Sequence, residues 1–124
     1  MTPAETGRAG EDAAADFLEA HGMRVMDRNY RFGREEIDLV CFEPSGDSGT
    51  IVVVEVKARR GTGFGPPEAS VDAAKQKAIM RVTEAYLIER RLLPTPVRFD
   101  VVAVTFRGDT PHVEHFANAF GYFV

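Results

Sequence analysis

A chain of 124 residues, 44% hydrophobic and 27% charged, holds enough apolar material for one folded domain over 1–124 and is neither disordered nor fibrous. No apolar run exceeds four residues, as in Ile51 to Val54, which is far too short for a membrane helix. The opening MTPAETGRAG has no apolar leader, and the lone Cys41 excludes an internal disulfide or a multi-cysteine metal site, so a cytoplasmic location is expected. The net charge of −4 argues at first against a polyanionic partner, but it is unevenly spread. Residues 1–50 carry −6 and residues 51–124 carry +2, with local excesses of +3 over Arg24 to Arg34 and +4 over Lys57 to Arg81.

Ala13, Ala14, Phe17 and Leu18 fall at the spacing of an amphipathic helix over Glu5 to His21, with Gly22 as its stop. Met23 to Tyr30 alternates weakly and predicts a strand with Met23, Val25 and Asp27 on one face. Glu36 to Glu43 and Thr50 to Ala58 are β-branched runs on either side of PSGDSG, which is turn chemistry, and predict a hairpin. After Lys57 the glycine- and proline-rich stretch ARRGTGFGPPE reads as a loop carrying Arg59 and Arg60. Ser70 offers an N-cap for a helix over Val71 to Arg91, with Ala74, Ala78, Val82, Ala85 and Leu92 as its apolar face. Val97 to Phe106 is the next strand, and a short segment around Val113 to Phe116 follows RGDTP. The order α-β-β-β-α-β, with a small C-terminal extension, implies an α/β fold: a mixed sheet flanked by helices.

The hairpin register is the most informative step. With Glu43 opposite Thr50 across a six-residue loop, Asp38 faces Glu55 and Glu36 faces Lys57, and the period of two places all four on one face. Opposed like charges destabilise a sheet, so Asp38 and Glu55 call for a raised pKa or a divalent cation between them. An oxygen-only donor set suits Mg²⁺ or Mn²⁺ better than Zn²⁺, and a lysine beside such an ion fits phosphodiester chemistry. A plain alternative is a solvated strand face, with Asp38 paired to Arg59 or Lys57. Elsewhere, Lys75, Lys77 and Arg81 fit a solvated helix face, His112 and His115 the surface, and Met23, Met26 and Met80 the core. Asn29 reads as a turn or edge residue, and the aromatic tail of Phe116, Phe120, Tyr122 and Phe123 as core cover or a dimer surface.

Asp38 in the second strand and Glu55-Val56-Lys57 in the third, within α-β-β-β-α-β, resemble the PD-(D/E)XK, or restriction-endonuclease-like, superfamily. Within it the pieces GRAGEDAAA (from Gly7), RNYR (from Arg28), EIDL (from Glu36), VEVKAR (from Val54), FGPPEASV (from Phe64), Lys75 and RFDVV (from Arg98) together resemble the YraN-like bacterial family. That family is similar in turn to archaeal Holliday-junction resolvases. Glu35 stands where the family usually has a glycine, and alternation puts it opposite Glu36.

The resemblance implies an Mg²⁺- or Mn²⁺-dependent endonuclease acting on DNA, more than RNA, with branched or Holliday-junction-like substrates. It implies Asp38, Glu55 and the Val56 backbone carbonyl as metal ligands, and Lys57 as the residue that positions water or stabilises the phosphate charge. Glu11 would join the catalytic set, with Glu36, Lys75 and Gln76 in support. Arg59, Arg60 and Arg31 would contact the nucleic-acid backbone, for which guanidinium groups are suited. Resolvase-like action would require a homodimer. The competing reading is a non-catalytic nucleic-acid-binding or scaffold protein with a vestigial nuclease site; another is an interaction protein acting through its aromatic C-terminus.

Overall fold

The structure, a computed structural model, describes residues 1–61 and 71–121. Helix α1 (Pro3–Ala20) opens on a capping box: the Glu5 amide donates to the Thr2 hydroxyl at 3.1 Å, and the Thr2 amide donates to the Glu5 carboxylate at 3.2 Å. It stops where Gly22 takes φ +92°. There the Gly22 amide donates to the Glu19 carbonyl and the Met23 amide to that of Leu18, a Schellman closure that a side chain would strain. Strands β1 (Arg24–Phe32), β2 (Glu35–Ser45) and β3 (Ser48–Arg60) follow, then α2 (Ala73–Glu89), β4 (Val97–Arg107) and β5 (Thr110–Phe120). The strands form one sheet in chain order, antiparallel except for β3 beside β4, which are parallel because α2 carries the chain back across.

The helices cover opposite faces of this sheet. Val52, Val54, Val102 and Val104 pack with Ala14, Ala15 and Leu18 of α1, whereas Ile51, Val53, Val101 and Phe99 pack with Ile79, Val82 and Tyr86 of α2. Central strands buried on both faces explain why Ile51 to Val54 reads as a continuous apolar run. Among the described residues no helix is long and apolar enough to cross a membrane.

The mixed α/β architecture is as expected, and the departures have local causes. The C-terminal extension is a full strand of 11 residues on the sheet edge. The hairpin closes through a two-residue turn, Gly46-Asp47, because pairing continues past Glu43–Thr50 to Ser45–Ser48 and Gly46 accepts φ +58°. Asp27 does not share a face with Val25: a bulge between them turns Asp27 toward α2, where it accepts hydrogen bonds from the Tyr86 hydroxyl at 2.7 Å and Arg90 at 3.1 Å. Helix α2 is capped by Asp72, which accepts the Lys75 amide, and it ends at Glu89; the expected cap Ser70 lies outside the described residues. Its buried stripe is Ile79, Val82, Thr83, Tyr86 and Leu87, so of the alanine-based face only Val82 is in it. Thr83 and Tyr86 are polar by composition yet fit the stripe, Thr83 by donating to the Ile79 carbonyl and Tyr86 by reaching Asp27.

Candidate functional site

The hairpin register runs as expected from Ser45–Ser48 to Leu39–Val54, and there the ladder stops. Asp38 and Glu55 do not continue it as a pair; the Val56 amide donates to Asp38 Oδ2 at 2.7 Å. Strand alternation breaks at the same point. Ile37 packs in the α2-side cluster and Leu39 in the α1-side cluster, although residues two apart in a regular strand share a face. Across from Asp38, between the pairs Arg28–Leu39 and Tyr30–Ile37, stands Asn29 with φ +53°. Asparagine is among the few side chains that enter this left-handed region readily, so the distortion is built into both strands.

The consequence is a carboxylate group drawn from two elements. Glu11 of α1 and Glu36 and Asp38 of β2 bring one oxygen each within 4.8 Å of one another. Asn29 Nδ2 donates to both Glu11 Oε1 and Glu36 Oε1, each at 3.0 Å, and Arg31 Nε lies 3.0 Å from Glu36 Oε2. Glu11 can reach this point because Gly10 lets α1 lie directly on β3: a Cβ there would stand 2.3 Å from the Ala58 Cβ.

Glu55 is placed differently. Its neighbours Val54 and Val56 belong with the α1-side core, so it projects toward α2, 7% exposed, with Lys57 Nζ at 3.6 Å and Lys75 Nζ at 3.7 Å from Oε1. The expectation that Glu36, Asp38, Glu55 and Lys57 share one face is therefore corrected. The break at Asp38 sends Glu36 toward Glu11 while Glu55 and Lys57 stay on the α2 side. Glu35 points away from Glu36, as alternation requires, and takes Arg81 Nη2 at 2.9 Å.

Electrostatics couples the two groups. Burial pushes the Asp38 carboxyl up to about 7, and the nearby Glu55 charge, then those of Glu11 and Glu36, push the same way against the Val56 amide. Three clustered oxygen donors, one of them reluctant to ionise among like charges, match the chemistry of a hard divalent cation such as Mg²⁺ or Mn²⁺. Burial also pushes the Cys41 thiol up to about 12, so this side chain behaves as a small hydrophobe in the α1-side core.

The other expected site residues are spread more widely. Lys75 faces Glu55, but the Gln76 side chain donates from Nε2 to the Val71 carbonyl at 2.9 Å and helps begin α2. The Val56 carbonyl belongs to a residue paired with Val102 in the parallel ladder. Arg59 and Arg60 extend β3 opposite Thr105 and Phe106 rather than lying in a loop, because parallel pairing with β4 persists beyond Lys57; Arg60 Nη2 donates to the Gly108 carbonyl. Arg31 is exposed beside Glu36. Of the aromatic tail, Phe120 is buried and stacks on Phe99, whereas Tyr122 and Phe123 lie outside the described residues.

Two features escape a sequence reading. Asn29 is one; its signal was a turn-forming residue in the middle of an extended run. The other is Asp100, fully buried on β4, which takes two hydrogen bonds from Arg98 at 2.9 Å, one from the Asn118 amide at 2.9 Å, and the His115 ring at 2.6 Å. Burial alone would raise the Asp100 carboxyl, but Arg98, Asn118 and His115 hold it below the usual range. His115 is thus an anchor between β4 and β5 and not a free surface residue: it pairs with Val102, two residues from Asp100 on the same face, and reaches diagonally to that carboxylate.

The pattern described as uncharacterised protein family UPF0102 matches residues 10–104. The chain belongs to this family. A UPF0102 protein of Syntrophotalea carbinolica is 47% identical over 114 residues, covering 92% of this chain and 89% of that one. One from Geobacter metallireducens is 40% identical over 92% of this chain and 90% of its own, and one from Persephonella marina 37% identical over 92% and 91%. The UPF0102 match spans every residue of the carboxylate and lysine groups, Glu11 to Lys75, and includes Asp100 but not its partners His115 and Asn118.

Proposed function

We propose that this UPF0102 chain is an Mg²⁺- or Mn²⁺-dependent nuclease of the PD-(D/E)XK, restriction-endonuclease-like kind, hydrolysing phosphodiester bonds in DNA. The observation that carries the reading is the convergence of Glu11, Glu36 and Asp38 beside a buried Glu55 flanked by two lysines. Asp38, Glu55, Glu11 and Glu36 are the residues that would hold the cation, with the Val56 carbonyl beside them. When bound, a divalent cation supplies the Lewis acidity that phosphodiester hydrolysis needs.

The chain's own residues do the rest. Asp38 gives up its proton as positive charge enters the carboxylate group, and Asn29 holds Glu11 and Glu36 in place through its amide. Lys57, held near Glu55, presents its ammonium group to the phosphate, where it offsets charge that builds up as the bond breaks and orients the attacking water. Lys75 offers a second positive group from α2. The basic side chains Arg31, Arg59 and Arg60 support backbone contacts to nucleic acid.

Incubating purified protein with linear, flapped and four-way DNA, and with RNA, in Mg²⁺, Mn²⁺ and EDTA tests this. Divalent-dependent cleavage supports the reading. Salt-sensitive binding without cleavage, indifferent to Glu55→Ala, would replace it with a non-catalytic binding protein.

A further inference from the structure

Phe32 is the only exposed Phe or Tyr among the described residues; the others are buried or half-buried, while Phe32 is 56% exposed. It is the last residue of β1, paired with Glu35 across the two-residue turn Gly33-Arg34, whose tight geometry Gly33 permits at φ +65°. A single exposed apolar side chain is ordinary on a protein surface. This one is set apart by its surroundings. Arg31 precedes it, 76% exposed at its side chain, Arg34 is exposed in the turn, and Arg81 of α2 reaches Glu35. One ladder step further along, Arg31 pairs with Glu36, a member of the carboxylate group.

We propose that the β1–β2 hairpin tip is a platform for an unpaired nucleobase, with Phe32 supplying the ring face and Arg31 and Arg34 meeting the flanking phosphates. The substrate class is then nucleic acid with a single-stranded segment beside the cleaved bond. This rests on the nuclease reading of the neighbouring carboxylates. A ring face offers stacking to any base, but only to one not already stacked in a duplex, so an overhang, a flap or a branch supplies it and a blunt duplex interior does not. Phe32 pairs with Glu35 and shares its α2-facing side, the side of Glu55 and Lys57, so the base that stacks belongs to the strand whose phosphate meets those residues.

The test uses a duplex with a single-stranded overhang carrying 2-aminopurine at the first unpaired position, and a blunt duplex of equal length, both in EDTA so that binding is read without cleavage. The wild-type protein is expected to bind the overhang roughly ten-fold more tightly than the blunt duplex and to change the 2-aminopurine emission. Phe32→Ala should remove both effects and leave blunt-duplex affinity unchanged; Phe32→Trp should keep them. Arg34→Ala should weaken both substrates and lower the salt dependence. If Phe32→Ala keeps the overhang preference and the emission change, the proposal is overturned. A wild-type protein that shows the Phe32-dependent preference yet cleaves nothing in Mn²⁺ sinks the nuclease reading and leaves the platform standing; one that binds neither duplex sinks both.

Discussion

The Val56 amide donates to Asp38 Oδ2 at 2.7 Å where the β2–β3 ladder has ended. This one bond ties the strand carrying Glu55 and Lys57 to the strand carrying Glu36 and Asp38, and it leaves Asp38 at the break, between Glu36 and Glu11 on one side and Glu55 on the other. A regular pair would have set Asp38 and Glu55 directly opposed. The break instead lets α1 contribute Glu11 and α2 contribute Lys75.

Asp38 makes stability depend on pH in a defined direction. Burial and the neighbouring carboxylates push its carboxyl up to about 7 in the folded chain, well above the ordinary carboxylate range, so between that range and 7 the folded state holds more protons than the unfolded one and stability falls as pH rises. Asp38→Asn should therefore be more stable than wild type at pH 8, by on the order of 2 kcal/mol, with the gap closing toward pH 4. Thermal melts across this range check it; a variant less stable than wild type at pH 8 contradicts it. Added Mn²⁺ should raise the wild-type melting temperature above pH 7 and lose that effect as Asp38 is protonated.

Asn29→Gly keeps the backbone free to adopt φ +53° but removes the amide shared by Glu11 and Glu36. Its melting temperature should stay close to wild type, while Mn²⁺ affinity measured by calorimetry falls roughly ten-fold, as expected for a partner that orients ligands. Unchanged affinity would mean that Asn29 serves only the strand.

Gly10→Ala drives a methyl group into the Ala58 Cβ at 2.3 Å and should destabilise the chain by about 1–3 kcal/mol. Adding Ala58→Gly removes the obstructing atom and should recover part of that loss. Chemical denaturation of the two variants reads this directly, and no recovery in the double variant would show that α1 is held off β3 for another reason.

Arg98→Met leaves the buried Asp100 without its guanidinium partner, holding only the Asn118 amide and the His115 ring, and should cost about 3 kcal/mol, since a buried charge that loses its partner is costly. Arg98→Met with Asp100→Asn should be the more stable of the two. In the wild type the Asp100 contribution is present above pH 4 and lost as pH falls through its lowered value, the reverse of Asp38.

Element order and the hairpin register were legible because period-two apolar patterning and turn residues fix them locally; the register that sets Glu43 opposite Thr50 runs through the valines down to Leu39–Val54. The site's arrangement was less legible. Alternation counts residues and cannot register a break, so nothing in EIDL separates Glu36 from the face of Glu55 until Asn29 is known to take a positive φ. The buried face of α2 was hidden by Thr83 and Tyr86, whose polar groups are satisfied by partners distant or internal to the helix. Asp100 and His115 are 15 residues apart and meet only because β5 returns alongside β4.

The most direct measurement is single-turnover cleavage of a flapped DNA in Mn²⁺ by wild type, Glu55→Gln and Lys57→Ala, with melting temperatures recorded for each. The account predicts cleavage by wild type and a loss of at least roughly 100-fold in both variants at unchanged fold stability. Wild-type protein that leaves the DNA intact, or variants that cut at the wild-type rate, would contradict it.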